Sequence, residues 1–373
     1  MTSRIGFDFY MAERILHNLG DIKMCIYFGN NDNLTYKKQE HVFPAGLGGK
    51  QMLDHGVVSD QANGLFSSME LTLMRHSLIA FERMMYGPGK RGSRNPAKAS
   101  KSAINVGLQD DGQPILCYTA AGKPHNVPQF YRHENEVTIS VPNECEDGEK
   151  QIRSFLVSLE RFPDKYIFLA SEHIPDGDII VGFSDGTYYV AANSVKPSKS
   201  NIEKEIHKVL TNFQMQELKY GEHRATQSHR LGENSVIARM YAKIAINVLA
   251  LRKGSEYASH QNFSEIREWI LTGESSTEFF FLPQIQVDPP EDIMKLIPPK
   301  AHWCIFVCRD EKLDAIVCLY NRYIRRFTLG NLPEGKVFLL DGYICDWQNQ
   351  QEYTIMQFVD TIARAYHENI SNE

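Results

Sequence analysis

Between residues 39 and 53 the chain reads QEHVFPAGLGGKQML: a carboxylate, Glu40, directly before an imidazole, His41, then Pro44 and the glycines Gly46, Gly48 and Gly49. Hydrolysis of a phosphodiester needs positive charge on the scissile phosphate and a base to deprotonate water. A Glu-His pair offers a cation ligand and a base side by side. On an extended backbone the two side chains face opposite ways, but at a strand end entering a glycine-rich loop both can be turned toward one substrate. Downstream, Asn63 and Glu70 lie two helical turns apart on one face. A strand-end pair and a helix face can therefore converge around one cation.

The elements that must position these residues are legible from periodicity. KMCIYF and EHVF read as short extended pieces separated by the turn-forming NNDN. NGLFSSMELTLMRHSLIAFERMMYG reads as one helix: Asn63 can cap it, Phe66, Met69, Leu73, Ala80 and Met84 form its apolar stripe, and Gly87-Pro88 stops it. FYMAERILHNL, residues 9–19, reads as a short amphipathic helix. Beyond residue 103, extended stretches (INVGL, PILCYTA, EVTISV, KYIFLAS, DIIVGF, TYYVAA) mix with helical patterns at 148–161, 201–215 and 234–253, and Asp185-Gly186 suits a hairpin turn. In 234–253 the core stripe is Ile237, Tyr241, Ile244, Val248 and Leu251; Arg239, Lys243 and Asn247 form another stripe, read as a solvated face or a nucleic-acid or inter-domain contact. A strand-rich block (FFFLPQIQV, HWCIFVC, DAIVCLY, RRFTL, KVFLLDG) precedes a closing helix at 353–367. The fold class is α+β.

A chain of 373 residues can bury proper cores without disulfide or metal staples. No apolar run is long enough to cross a bilayer and the N-terminal residues lack a signal-peptide core, which implies a cytoplasmic protein with no membrane partner. Seven scattered cysteines do not suggest a disulfide framework. Cys304, Cys308, Cys318 and Cys345 lack knuckle spacing and read as small apolar strand residues. The net charge of −6 hides an asymmetry: residues 1–105 carry +4 and the remainder −10. Arg83, Lys90, Arg91, Arg94, Lys98 and Lys101 lie in a run to Gln109 without an acid. Local charge sets the field a polyanion meets, so Lys90, Arg91, Arg94, Lys98 and Lys101 are candidate phosphate contacts; the alternative is a solvated linker. The expected domains are a nuclease-like module over 1–88, a basic linker over 89–104 and an α+β region over 105–373 whose role is recognition, regulation or oligomerisation.

The run EHVFPAGLGGKQMLDHGVVSDQANGLFSSMEL resembles the HNH endonucleases, in particular the subgroup in which Glu-His precedes a Pro and a Leu-Gly-Gly. The resemblance spans about residues 20–85, with a fainter likeness of RMYAKIAINVLALRKG to a downstream helix of larger relatives. It implies a ββα-metal module in which His41 is the general base, Glu40 a metal ligand, Asn63 a brace for the loop and Glu70 the last ligand of one Mg²⁺ or Mn²⁺ ion. His55 and His76 are spare candidates for that last place. Relatives hold the motif with two Cys-x-x-Cys knuckles; here these read Cys25-Ile26-Tyr27-Phe28 and Val58-Ser59-Asp60-Gln61. One thiolate cannot build a closed zinc site, so no structural zinc is expected and Phe28 and Val58 are expected to hold the module by packing. The implied activity is cleavage of DNA, double-stranded by preference, in a restriction or phage-defence setting. An RNA endonuclease and a non-cutting protein that binds nucleic acid or a partner are the alternatives; a homo-oligomer or a defence partner protein stays open.

Overall fold

The computed structural model describes residues 23–134, 136–142, 147–214, 225–227, 234–275, 295–334 and 341–371. The helix expected over 9–19, the FFFLPQIQV strand and most of KVFLLDG lie outside these residues. The chain is α+β and divides into two compact units. Among the described residues, the first unit takes those up to Arg83, Gly87–Lys98 and those from 234 onward; the second takes Met84–Tyr86 and Ala99 to 227. This differs from the expected 1–88, 89–104 and 105–373, because the apolar face of the N-terminal segment is completed by residues more than 150 positions later.

KMCIYF is not extended. Gly29 N donates to the Cys25 carbonyl at 2.7 Å, closing a turn that Gly29 permits at φ +71°. EHVF is extended only at its start, where it pairs antiparallel with residues 51–53 before the chain bends at Val42 and Phe43: Val42 N donates to the Gln51 carbonyl and Leu53 N to the Glu40 carbonyl, each at 2.9 Å. The glycines of the intervening loop are now explained. Gly48 adopts φ +91°, and a Cβ there would sit 2.6 Å from Trp347 Cβ; one on Gly49 would sit 2.1 Å from the Phe43 carbonyl oxygen.

Helix α1, Asp60–His76, starts three residues before Asn63. Ser59, not Asn63, is its cap, accepting from Ala62 N. Helix α2, Leu78–Tyr86, is separate because Ser77 is extended, with its hydroxyl donating to the Leu73 carbonyl and accepting from Ile79 N. A hydroxyl that satisfies both helix ends makes the break stable. Phe66, Met69 and Leu73 are buried as the periodicity requires.

Among the described residues the second unit has two sheets. Strands β1 (Asn105–Gln109), β2 (Pro114–Ala120), β3 (Lys123–Asn126), β4 (Gln129–His133) and β5 (Glu136–Ser140) are followed by helix α3 (Gly148–Leu159), strands β6 (Ile167–Ala170), β7 (Ile179–Ser184) and β8 (Thr187–Ala192), helix α4 (Lys199–Asn212) and β9 (Ala225–Gln227). The sheet orders are β3-β2-β1-β9 and β5-β4-β7-β8-β6. Asp185 and Gly186, both at positive φ, turn β7 into β8 as expected. Strand alternation sends Phe130, Val181 and Val190 to the face covered by α3 and α4, and Tyr131, Ile180 and Ala191 toward the other sheet.

In the first unit the chain returns with helix α5 (Ser235–Lys253), helix α6 (Ser264–Thr272), strands β10 (His302–Arg309), β11 (Lys312–Leu319), β12 (Tyr323–Asn331), β13 (Asp341–Asp346) and β14 (Gln351–Thr354), and helix α7 (Ile355–Ser371). The antiparallel sheet runs β12-β11-β10-β13-β14. Every residue of α5 from Ile237 to Ala250 is buried, so it is the central axis of the unit. Asn234 caps its start by accepting from Ile237 N, and Gly254 ends it at φ +91°. Cys304, Cys318 and Cys345 are buried strand residues as expected; Cys308 is exposed.

The glycines give a sharp test. Gly49→Ala forces a Cβ against backbone and is expected to lower stability by at least about 2 kcal/mol. Gly64, exposed within α1 with open space around it, is expected to gain about 0.5–1 kcal/mol on replacement by Ala. Urea unfolding of both variants measures the contrast; equal effects would mean that loop geometry is not what Gly49 serves.

Candidate functional site

The paired segment at 40–43 and the face of α1 meet against α5. Lys243 contributes an ammonium with no exposed surface, and that ammonium donates to Glu40 Oε1 and, at 3.2 Å, to Glu70 Oε1. Glu40 is buried, whereas the Glu70 side chain is 27% exposed. One turn further along α5, Asn247 Nδ2 donates to the His41 carbonyl at 2.9 Å, and the Tyr27 hydroxyl donates to Asn247 Oδ1 at 2.7 Å. Tyr27 is itself set edge-on against Phe66 of α1, with ring centroids 4.7 Å apart. The same helix thus fixes position 40 by its side chain and position 41 by its backbone.

Of the residues singled out by spacing, Glu40 and Glu70 are brought together on one cation, as the motif requires, but the cation is Lys243. Asn63 Nδ2 donates to the Gln39 carbonyl at 3.3 Å, so it braces the entry to Glu40-His41 rather than capping α1. His41 is half-buried, and its imidazole has no hydrogen-bond partner among the described residues. His55 and His76 are exposed; Glu70, not either histidine, meets the cluster. Among the described residues no three His, Cys, Asp or Glu side chains gather as a metal centre. The stripe Arg239, Lys243, Asn247 is not a solvated face. All three are buried, with Arg239 bonded to the Ile270 and Leu271 carbonyls. The signal was present: a helix apolar on every other side leaves no solvated face for its polar stripe, which must then find partners inside.

No family model, curated protein or solved structure matches the chain. The site must therefore be read from its own chemistry.

Two carboxylates against one ammonium leave a net negative cluster, buried at Lys243 and Glu40 and partly exposed at Glu70. Burial pushes the Glu40 carboxyl upward, with Glu70 adding to the effect and Lys243 opposing it. Burial disfavours the Lys243 charge, but Glu40 and Glu70 outweigh it and hold the ammonium above its ordinary value. Both shifts have one meaning, since a desolvated cluster with surplus negative charge holds its protons tightly. Removing one partner of such a buried pair typically costs about 3–5 kcal/mol, because the other is left uncompensated.

Where the resemblance places two knuckles, the segment is held mainly by hydrogen bonds. Ser59 N donates to Cys25 Sγ at 3.4 Å, Asp60 accepts from the Thr35 hydroxyl and from Lys37 N and Lys38 N, and Gln61 links Thr35 N to the Asn33 carbonyl. The Thr35 hydrogen bond, first among these, holds the Asp60 carboxyl below its usual range. Val58 is buried as expected, but Phe28 is 42% exposed and does not pack in place of a metal ligand.

The expected linker is divided between the units. Residues 87–98 belong to the first and lie on the 44–49 loop, where Arg83 bonds the Gly46 carbonyl at 2.8 Å and the Gly89 carbonyl at 3.4 Å. Arg83 is structural. Lys90, Arg91, Arg94 and Lys98 remain exposed on that unit; Lys101, also exposed, belongs to the second and pairs with Asp185 at 3.3 Å.

The loop after His41 is anchored by His302, whose Nε2 donates to the Leu47 carbonyl at 3.1 Å while Nδ1 accepts from Tyr320 N at 2.9 Å. Full burial pushes this imidazole down to about 3. The unfolded chain, with an ordinary histidine near 6.5, then binds a proton that the folded chain refuses. Stability from His302 is present above about pH 6.5 and is lost as pH falls toward 3. Between about pH 6.5 and 5 wild type is expected to lose about 1.5 kcal/mol more than His302→Gln, which retains a donor for Leu47. Parallel pH profiles of urea stability would contradict this.

Proposed function

We propose that the chain is an HNH-type endonuclease that hydrolyses phosphodiester bonds, with double-stranded DNA as the favoured substrate. The observation that carries this reading is convergence: Glu40 and Glu70, chosen from a motif, meet at one cation, with Asn63 bracing the same segment and the His41 ring making no hydrogen bond among the described residues. In this reading His41 accepts the proton of the attacking water, and the Asn63 and Asn247 contacts hold its backbone in register. Glu40 and Glu70 present hard oxygen donors of the kind Mg²⁺ or Mn²⁺ prefers. When bound, one such ion supplies positive charge for the scissile phosphate and the leaving oxygen. The exposed Lys90, Arg91, Arg94 and Lys98 offer phosphate contacts on the unit that carries the site. No helix among the described residues is long and apolar enough to cross a membrane.

A second reading is a nuclease-derived protein that binds nucleic acid or a partner without cutting. The Lys243 ammonium favours it, because it already lies against both carboxylates.

Plasmid DNA and single-stranded RNA incubated with the purified protein in Mg²⁺, Mn²⁺ or EDTA separate these readings. Metal-dependent cleavage that His41→Ala slows by at least about a hundredfold, with binding retained, is the expected result. Binding without cleavage under every condition, or His41→Ala cutting as fast as wild type, would move the assignment to the second reading.

The basic segment gives an independent prediction. Replacing Lys90, Arg91 and Arg94 together by Ala is expected to weaken DNA binding and flatten its salt dependence, since each lost phosphate contact removes about 0.9 from the log-log slope. An unchanged slope would remove this segment from the interface.

A further inference from the structure

We propose that Lys243 is a resident counter-cation that competes with divalent metal for Glu40 and Glu70, so that the site takes up metal weakly while the ammonium is in place. The inference deepens the nuclease reading and rests on it only in treating these two carboxylates as the metal's ligands.

Three observations carry it. The ammonium already lies against one oxygen of each carboxylate, which is where an ion shared by both would be held. Its stem leaves a helix buried on all sides, the Lys243 side chain has no exposed surface, and the ammonium sits 5.4 Å from the centre of the Phe66 ring. It therefore has no path to water by a simple change of rotamer. Third, the charges balance only in part. Two carboxylates and one ammonium leave a single negative charge, enough to attract a cation but less than the pair would carry alone. A divalent ion on the same oxygens also meets the ammonium as a like charge. Access is one-sided, because Glu70 is the partly exposed member and Glu40 the buried one.

Removing the ammonium makes the carboxylates seek an external ion. Lys243→Met keeps the length and apolar character of the stem. Mn²⁺ binding, read from the electron paramagnetic resonance of free Mn²⁺, is compared for full-length wild type, Lys243→Met, Lys243→Arg and Lys243→Met/Glu70→Gln. Lys243→Met is expected to bind Mn²⁺ at least tenfold more tightly than wild type and to gain a melting-temperature rise with Mn²⁺ that EDTA abolishes. Lys243→Arg keeps the charge and should stay as weak as wild type, and adding Glu70→Gln should cancel the gain. If Lys243→Met folds only with Mn²⁺ present, that dependence supports the proposal directly. Should it not fold in either condition, Lys243→Gln, neutral and able to donate to both carboxylates, provides the same comparison; failure of both to fold with Mn²⁺ counts against it. Unchanged or weaker Mn²⁺ binding in a folded Lys243→Met overturns the proposal, as does micromolar binding by wild type that depends on Glu40 and Glu70. None of these measurements uses cleavage. A wild type that never cuts therefore refutes the nuclease reading while leaving the competition to be decided by Mn²⁺ binding.

Discussion

A buried ammonium tolerates few arrangements, and the first unit is organised around one. Lys243 sits on a helix whose residues from 237 to 250 are all buried, so its charge cannot be returned to water by fraying or tilting the helix end. It must be met by carboxylates brought from elsewhere. Glu40 arrives on the paired segment at 40–43 and Glu70 on α1. Meeting that requirement fixes the depth of the hairpin, the rotation of α1 and the register of α5 together, with Tyr27 and Asn247 satisfying the remaining polar groups at the junction. A pair of this kind adds little net stability compared with apolar packing, but it strongly penalises any other arrangement of the three elements.

Glu82 shows what a purely structural buried acid looks like in the same unit. It has no exposed surface and receives Lys300 at 3.0 Å, Arg322 at 3.0 Å and the Tyr323 hydroxyl at 3.1 Å. One carboxylate meets two cations there, and no oxygen is left seeking charge. At Lys243 the ratio is inverted, with two carboxylates to one cation and one of them reaching the surface. At Glu82 cations are in excess; at Lys243 the excess is negative and its partly exposed member is Glu70.

The parts legible in the sequence were those governed by local pattern. Short apolar extended runs gave β7, β8, β10 and β11, and the 3.6-residue period gave α3, α4 and α5 to within a few residues. The Glu40, Asn63, Glu70 set came from spacing, and the structure brings Glu40 and Glu70 to one cluster with Asn63 on the adjoining segment. What escaped was what a single residue's backbone conformation or a distant segment decides. KMCIYF has strand-like residues but folds as a turn, because Gly29 supplies a positive φ that the periodicity of its neighbours does not reveal. Ser77 splits a helix whose apolar stripe continues unbroken through it. The division at 89–104 missed that α5 returns to complete the core begun by Phe66 and Leu73. The polar stripe of α5 was visible as a pattern, yet its burial depends on the sheet behind it and the hairpin in front.

The same helix also holds adjacent positions in different ways. Glu40 is held through its side chain, so its identity is tied to the fold and any change there leaves Lys243 without its buried partner. His41 is held through its backbone carbonyl by Asn247 and through pairing with Met52, and neither contact involves the imidazole. A ring that the fold does not use can be placed by the fold without being consumed by it. Glu40 is thus locked inward through its side chain, while the adjoining imidazole makes no hydrogen bond among the described residues. The glycines that follow let the chain turn back tightly enough, against Phe43 and Trp347, to keep that dipeptide at the edge of the buried cluster.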